Sequence, residues 1–135
     1  MSNQTLEEKL GLLKQLILVA NADGKIKEAE YQLLLGLAAH MEVSQEEFQQ
    51  VFASGVEIEL PKNDADRILQ FHRMILMLNV DTDPSPAEID MVRKMGIMLG
   101  LNPQAIELVF EEMKTHPNNL IPPDRMVQIF TKYMN

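Results

Sequence analysis

The sequence predicts an all-α fold, a single domain that forms a bundle of about seven helices, and three observations support this prediction. Apolar residues recur at steps of three and four along most of the chain, which is the periodicity of helices buried on one face. Capping motifs and prolines divide the chain into helical lengths. When the chain is shifted by 58 residues, positions 5 to 52 align with positions 63 to 110 without a gap. At 135 residues, such a domain can bury a core without the disulfides that its lack of Cys rules out.

Three helices are predicted in the first half. Thr5 to Glu8 has the capping-box pattern, so a helix begins there and runs to the break at Asp23-Gly24. A second helix spans about Glu28 to Met41, and Ser44 to Glu47 is another capping box that opens a short third helix. The residues predicted to face the core are Leu6, Leu10, Leu13, Ile17 and Ala20, then Tyr31, Leu34, Leu35, Ala38 and Met41, then Phe48, Val51 and Phe52.

The second half repeats this order after a connector at residues 53–62, where Val56, Ile58 and Leu60 alternate with polar residues and predict an extended segment. Asn63, Ser85 and Asn102 are predicted N-caps, and Gly100 is placed to end the helix that Ser85 begins. Prolines between Thr115 and Pro122 exclude a continuing helix, and a last helix covers about 123–134. The predicted core residues are Ile68, Phe71, Ile75, Leu78, Ile89, Val92, Met95, Leu99, Ile106, Val109, Phe110, Met113, Met126, Ile129, Phe130 and Tyr133.

The 58-residue offset predicts an internal duplication. Caps align with caps and apolar positions with apolar positions over three successive helices, which chance periodicity would not sustain. We expect two three-helix units, at about 5–52 and 63–110, to pack on each other, with the C-terminal helix closing the open side.

Two acidic turns occupy equivalent places in these units, one from Asn21 to Glu30 and one from Asn79 to Glu88. In one interpretation they are structural: the two glutamates sit at the third helical position and cap the helices, and the aspartates accept hydrogen bonds within the turns. In the other, packing of the units brings both turns to one end and creates a site for a hard cation, Ca²⁺ or Mg²⁺. The predicted ligands are Asp23, Glu30, Asp81, Asp83 and Glu88.

The first turn partly matches an EF-hand loop, but this interpretation is rejected. Gly24, Ile26 and Glu30 stand at the required relative positions, whereas the first ligand would be Val19, which has no side-chain oxygen. The second turn has Thr82 in place of the glycine and Pro84 in place of the isoleucine.

Composition argues against several functional classes. The net charge of −8 opposes binding to nucleic acid and anionic lipid. The N-terminal residues do not have the pattern of a signal peptide and no apolar run reaches a membrane span, so we expect a cytoplasmic protein. No nucleophile motif or phosphate loop is present, and His40, His72 and His116 share no ligand spacing, so we expect no enzymatic activity.

The segment from Ala22 to Glu30, followed by Leu34, Leu37, Ala38 and the capped Ser44 to Phe48, resembles the tellurite-resistance TerB family and the related N-terminal domain of DjlA-type co-chaperones. The resemblance extends over about residues 8 to 113. It implies a small all-helical domain whose two halves carry acidic turns, with a metal or interaction site at Asp23 and Glu30 and at Asp81 and Glu88. It also implies a role in stress or membrane-associated complexes through partners.

The leading hypothesis is a non-catalytic, cytoplasmic TerB-like interaction module with an acidic end that binds a divalent cation and docks a basic or membrane-associated protein partner. Two alternatives remain open at this stage. One is a small metal-dependent hydrolase with a pocket beside Asp23 and Asp81. The other is a structural oligomerising subunit that exposes an apolar face, for which the stripe of Met91, Met95 and Met98 is a candidate if it is not core.

Overall fold

The structure, a computed structural model, describes residues 5–53, 61–80 and 84–133. In these residues the chain is an all-helical bundle without strands, which confirms the predicted fold class. The elements are α1 (Leu6–Ala20), α2 (Glu28–His40), α3 (Gln45–Ala53), α4 (Asp64–Asn79), α5 (Pro86–Met98), α6 (Pro103–Met113), a 3₁₀ turn (Pro117–Asn119) and α7 (Pro123–Thr131).

The predicted helix starts are confirmed by hydrogen bonds. The Thr5, Ser44 and Ser85 hydroxyls each accept from the amide three residues later, at 3.1 Å in all three cases. Asn63 and Asn102 cap α4 and α6 through their side-chain oxygens. Each cap satisfies amides that the first helical turn leaves without an intrahelical partner.

α2 and α5 end in the same way with different residues. The residue after each C-cap adopts the left-handed conformation, at Glu42 with φ of 62° and at Gly100 with φ of 85°. The next amide then bonds back to the helix, from Val43 to the Ala38 carbonyl and from Leu101 to the Gly96 carbonyl. Gly100 adopts this conformation without a side-chain penalty, as predicted for a helix-ending glycine.

The core lies around α1 and α4, which pack against each other. α1 also contacts α2, α3 and α5, and α4 also contacts α2, α5 and α7. A buried polar pair joins the two central helices: Gln70 Nε2 donates to Gln15 Oε1 at 2.9 Å and to the Leu12 carbonyl at 3.0 Å. Most buried side chains are apolar, so burial of Leu, Ile, Met and Phe side chains is the main stabilising term.

α7 packs against α4 and α6. Its Phe130 ring packs edge-on against Phe71 of α4, with the ring centroids 5.6 Å apart. Met126 and Ile129 are buried beside it, while Tyr133 is half-buried.

The structure differs from two expectations about side chains, one for Leu6 and one for the methionine stripe. Leu6 was expected in the core but is 44% exposed, because it is the first residue of α1 and lies at the end of that helix. The methionine stripe is not one exposed face: Met95 is buried, Met91 is half-buried, and Met98 is 46% exposed. The predicted extended segment at 53–62 lies mostly outside the described residues, which resume at 61.

The helices obey the 58-residue offset, but the duplication itself stays a prediction. α2 begins at Glu28 and α5 at Pro86, and both starts and both ends are 58 positions apart. The packing is not repeated in full. α3 packs closely on α1, whereas α7, and not α6, the counterpart of α3, packs closely on α4.

Candidate cation site at the acidic turns

The first acidic turn connects α1 to α2 by short-range hydrogen bonds. The Gly24 amide donates to the Asn21 carbonyl at 3.0 Å, and Gly24 itself has φ of 96°, a conformation that favours glycine. Asp23 is exposed, and its Oδ1 accepts from the Lys25 amide at 3.4 Å. The predicted role of Asp23 as a turn acceptor is confirmed, and its carboxylate faces solvent. Val19, the missing EF-hand ligand, is fully buried.

Glu30 ends this turn inside the protein. Its residue is 0% exposed, and its Oε1 accepts from the Lys27 amide at 2.8 Å. Lys27 is the N-cap of α2 and Glu30 is the third helical residue, as predicted. A carboxylate here satisfies an orphan amide and interacts favourably with the positive end of the helix dipole.

Glu88 has the same position at the start of α5. It is 0% exposed, and its Oε1 accepts from the Ser85 amide at 2.9 Å. Its other oxygen, Oε2, is buried and has no hydrogen-bond partner among the described residues. One oxygen is therefore used in capping, and the second is available to a further ligand.

The structure does not assemble the complete predicted site. Asp81 and Asp83 lie outside the described residues. Within the described ranges, no three His, Asp or Glu side chains are grouped so that they could hold a metal ion. The five-residue site therefore stays a prediction, with Glu30 and Glu88 buried and Asp23 exposed.

Burial distinguishes these two glutamates from the other capping glutamates. Glu8 and Glu47 also accept from the amides of their N-cap residues, at 3.4 Å and 2.9 Å, but both are half-buried near solvent. Burying an ionised carboxylate is costly unless a hydrogen bond or an opposite charge compensates for the lost water. Capping alone does not require that burial, as Glu47 shows.

Two carboxylate networks that the sequence analysis missed tie helices together elsewhere. Arg125 of α7 binds Glu112 of α6 through two nitrogens, at 2.7 and 2.8 Å. These bonds, with a further one to His116, lower the pKa of Glu112 to about 2. The i, i+4 spacing of Glu112 and His116 was the available sequence signal, whereas the Arg125 contact depends on how α7 packs.

The other network is on α5 and α6. Arg93 donates to Glu107 at 2.6 Å and to Asp90 at 2.8 Å, and the hydrogen bond that Glu107 accepts is the main cause that raises the pKa of the Arg93 guanidinium. Of the histidines, His72 Nε2 lies 3.0 Å from the Ile121 carbonyl oxygen and His116 lies beside Glu112. The His72 contact is explained by packing between α4 and the segment before α7, and the His116 contact by its i, i+4 spacing from Glu112.

No helix in the described ranges has both the length and the apolar character that crossing a membrane requires.

Fold and site define the class as a small all-helical domain in which a glycine-containing acidic turn leads to a helix capped by a buried glutamate. Residues 1–53 match the model of the family described as tellurite resistance protein TerB, which confirms the TerB-like resemblance over α1, α2 and α3. The match includes Asp23 and Glu30 and ends before the second turn. No curated protein and no solved structure matches the chain significantly.

Proposed function

We propose that this TerB-like module is a non-catalytic interaction domain whose acidic turns bind a divalent cation, Ca²⁺ or Mg²⁺. The observation that carries the proposal is the state of Glu88. It is fully buried, one oxygen is held by the Ser85 amide, and the other has no hydrogen-bond partner in the described part of the chain.

A cation accounts for this arrangement better than capping alone. A bound cation supplies the opposite charge that a buried carboxylate needs, and Ca²⁺ and Mg²⁺ both prefer oxygen ligands. Asp81 and Asp83 are the predicted further ligands beside Glu88, because they precede it by only a few residues. Asp23 and Glu30 are the corresponding ligands from the first turn.

The proposed partner is a basic or membrane-associated protein. The chain carries a net charge of −8, so its surface attracts cationic surfaces and repels phosphate backbones. A cation at the acidic turns would link partner docking to ion supply, because it changes the charge of that end of the domain. The name of the matched family suggests tellurite resistance as the biological setting. A related stress role and a cytoplasmic location are part of the same proposal.

The test is thermal unfolding of metal-stripped protein with and without millimolar Ca²⁺, Mg²⁺, Mn²⁺ or Zn²⁺. A cation bound only by the native state at a hundredfold over its dissociation constant adds roughly 2.7 kcal/mol of stability, an easily measured rise in Tm. We expect this rise for the wild type with Ca²⁺ or Mg²⁺. We expect none for Glu88→Gln, which keeps an oxygen for the Ser85 amide but replaces the second oxygen by an amide nitrogen.

Glu47→Gln is the matched control. Glu47 also accepts from the amide of a serine N-cap, at 2.9 Å, but lies outside both acidic turns. It should therefore respond to cations as the wild type does. The cation proposal is wrong if no cation raises the Tm of the wild type, or if Glu88→Gln is stabilised as much as the wild type.

A further inference from the structure

An apolar depression opens at the surface between α2, α4 and the segment before α7. Its volume is about 310 Å³, and none of the residues that line it is charged. These residues are Leu33, Leu76, Asn79, Val80, Asn118 and Leu120. Contiguous apolar surface that is open to solvent marks sites of interaction with other molecules. The depression is therefore a candidate docking surface.

The turn before Leu120 holds this side chain at the surface. Leu120 is 41% exposed, whereas the next residue, Ile121, is 2% exposed. Asn118 and Asn119 both adopt the left-handed conformation, with φ of 56° and 58°, which costs free energy in residues other than glycine. The turn is tied to α4, because Asn119 Nδ2 donates to Asn79 Oδ1 at 3.3 Å. The apolar surface is thus formed before a partner arrives, which lowers the entropic cost of binding.

The depression lies at the negative end of α4. Asn79 is the last residue of this helix, Val80 is its C-cap, and its last turn contains no basic residue. Carbonyl groups at the C-terminal end of a helix carry partial negative charge, which attracts cations. Val80 is followed in the sequence by Asp81, in the second acidic turn. Leu33 lies one helical turn after Glu30, which ends the first acidic turn.

These charges make the surroundings of the depression complementary to a basic partner, as does the net charge of −8 on the whole chain. The partner segment is expected to be helical. The described part of the chain contains no strand, so it offers no sheet edge to which an extended peptide could add. An amphipathic helix, in contrast, binds with its apolar face in a groove and its charged side chains at the edges.

We propose that the apolar depression binds a basic amphipathic helix of a partner protein. The apolar face of that helix contacts Leu33, Leu76 and Leu120, and its Lys or Arg side chains lie toward the C-terminal end of α4. This inference deepens the proposed function by giving its partner a docking surface, and it rests on that function for the basic character of the partner.

The probe is a short, fluorescently labelled helical peptide with leucine on one face and lysine on the other. Its affinity for metal-stripped protein is measured by fluorescence anisotropy. Two matched peptides separate the contributions: one has every lysine replaced by glutamate, and the other has every leucine replaced by serine. We expect saturable binding of the leucine–lysine peptide, with a dissociation constant on the order of micromolar. Both matched peptides should bind at least about tenfold more weakly, because each lacks one of the two complementary features.

Leu120→Ser and Leu33→Ser test whether the depression is the site. Each removes an apolar side chain from the lining and should weaken binding of the leucine–lysine peptide by about tenfold, as expected for the lost burial of a leucine side chain. Leu108→Ser is the matched control, because Leu108 is 37% exposed but lies on α6, outside the depression. Its affinity should equal that of the wild type. Circular dichroism and Tm establish that each variant is folded, and the two lining variants replace each other if one is not.

The proposal is overturned if the leucine–lysine peptide does not bind, or if either matched peptide binds equally well. It is also overturned if folded Leu120→Ser or Leu33→Ser protein binds the peptide as tightly as Leu108→Ser does. A wild-type dimer in analytical ultracentrifugation that Leu120→Ser converts to a monomer would contradict it as well, because a second copy would then cover the depression.

These results are independent of the cation test. The peptide is titrated into metal-free protein, and no residue that lines the depression is one of the five predicted cation ligands. Stabilisation by Ca²⁺ or Mg²⁺ without peptide binding would refute the docking surface alone. Peptide binding without stabilisation by any cation would refute the cation site alone.

Discussion

The starts of α1 and α3 can be compared with the starts of α2 and α5, because all four use a glutamate at the third helical position. At α1 and α3 the glutamates, Glu8 and Glu47, are half-buried and bond to the N-cap amide near solvent. At α2 and α5 they are fully buried and make the same bond. The bond to the N-cap amide explains why glutamate stands at all four positions. It does not explain why two of these carboxylates are buried, which costs free energy.

The largest expected difference in stability is between Glu88→Ala, which removes a fully buried capping carboxylate, and Glu47→Ala, which removes a half-buried one. Glu88→Ala leaves the partly buried Ser85 amide without its acceptor and should lower the free energy of unfolding by about 2 kcal/mol. Glu47→Ala should lower it by less, because the freed Ser44 amide can bond to water. Urea unfolding followed by circular dichroism measures both. Equal losses in the two variants would mean that burial has no energetic weight at α5.

A smaller effect is expected when the charge of the buried cap is removed and its oxygen kept. In metal-free protein, Glu88→Gln should be as stable as the wild type, or more stable by up to about 1 kcal/mol, because the amide is less costly to bury than a carboxylate. Glu47→Gln should not gain stability, because its carboxylate is near water. A clear loss in Glu88→Gln under metal-free conditions would show that the carboxylate is already compensated within the protein.

The smallest effect is the pH dependence of the stability that Glu47 contributes. The hydrogen bond from the Ser44 amide, followed by that from the Ser44 side chain, lowers the pKa of Glu47 below its ordinary value. Because the pKa of Glu47 is lower in the folded than in the unfolded protein, its ionised carboxylate stabilises the folded state. This contribution is complete above the pKa of the unfolded state and is lost as the pH falls below about 5. The stability difference between wild type and Glu47→Gln, measured by urea unfolding, should therefore shrink as the pH falls from 6 to 3. A difference that does not change with pH would contradict the assigned cause.

The sequence was sufficient to predict helix starts, because capping is a local property. The pattern of a serine or threonine followed three residues later by glutamate located the starts at Thr5, Ser44 and Ser85, and hydrogen bonds confirm each one. Proline spacing likewise predicted the break before α7.

Features that depend on neighbouring helices were not predictable. The period of α1 gave Leu6 an inward direction, but Leu6 is the first residue of the helix and its side chain is exposed. The Gln15–Gln70 pair forms where α1 meets α4, a contact without a local signal. For the same reason the sequence identified Glu30 and Glu88 as caps but could not show that they are buried.

A cation site at the second acidic turn can be tested by paramagnetic broadening with Mn²⁺, which can replace Mg²⁺ at oxygen sites. Metal-stripped ¹⁵N-labelled protein is titrated with substoichiometric Mn²⁺, and the amide signals at Ser85 and Glu88 are compared with those at Ser44 and Glu47. We expect selective loss of the Ser85 and Glu88 signals, their recovery on adding excess Mg²⁺ or Ca²⁺, and no selective loss in Glu88→Gln. Equal broadening of both pairs, or the same pattern in Glu88→Gln, would contradict a cation site at the second acidic turn.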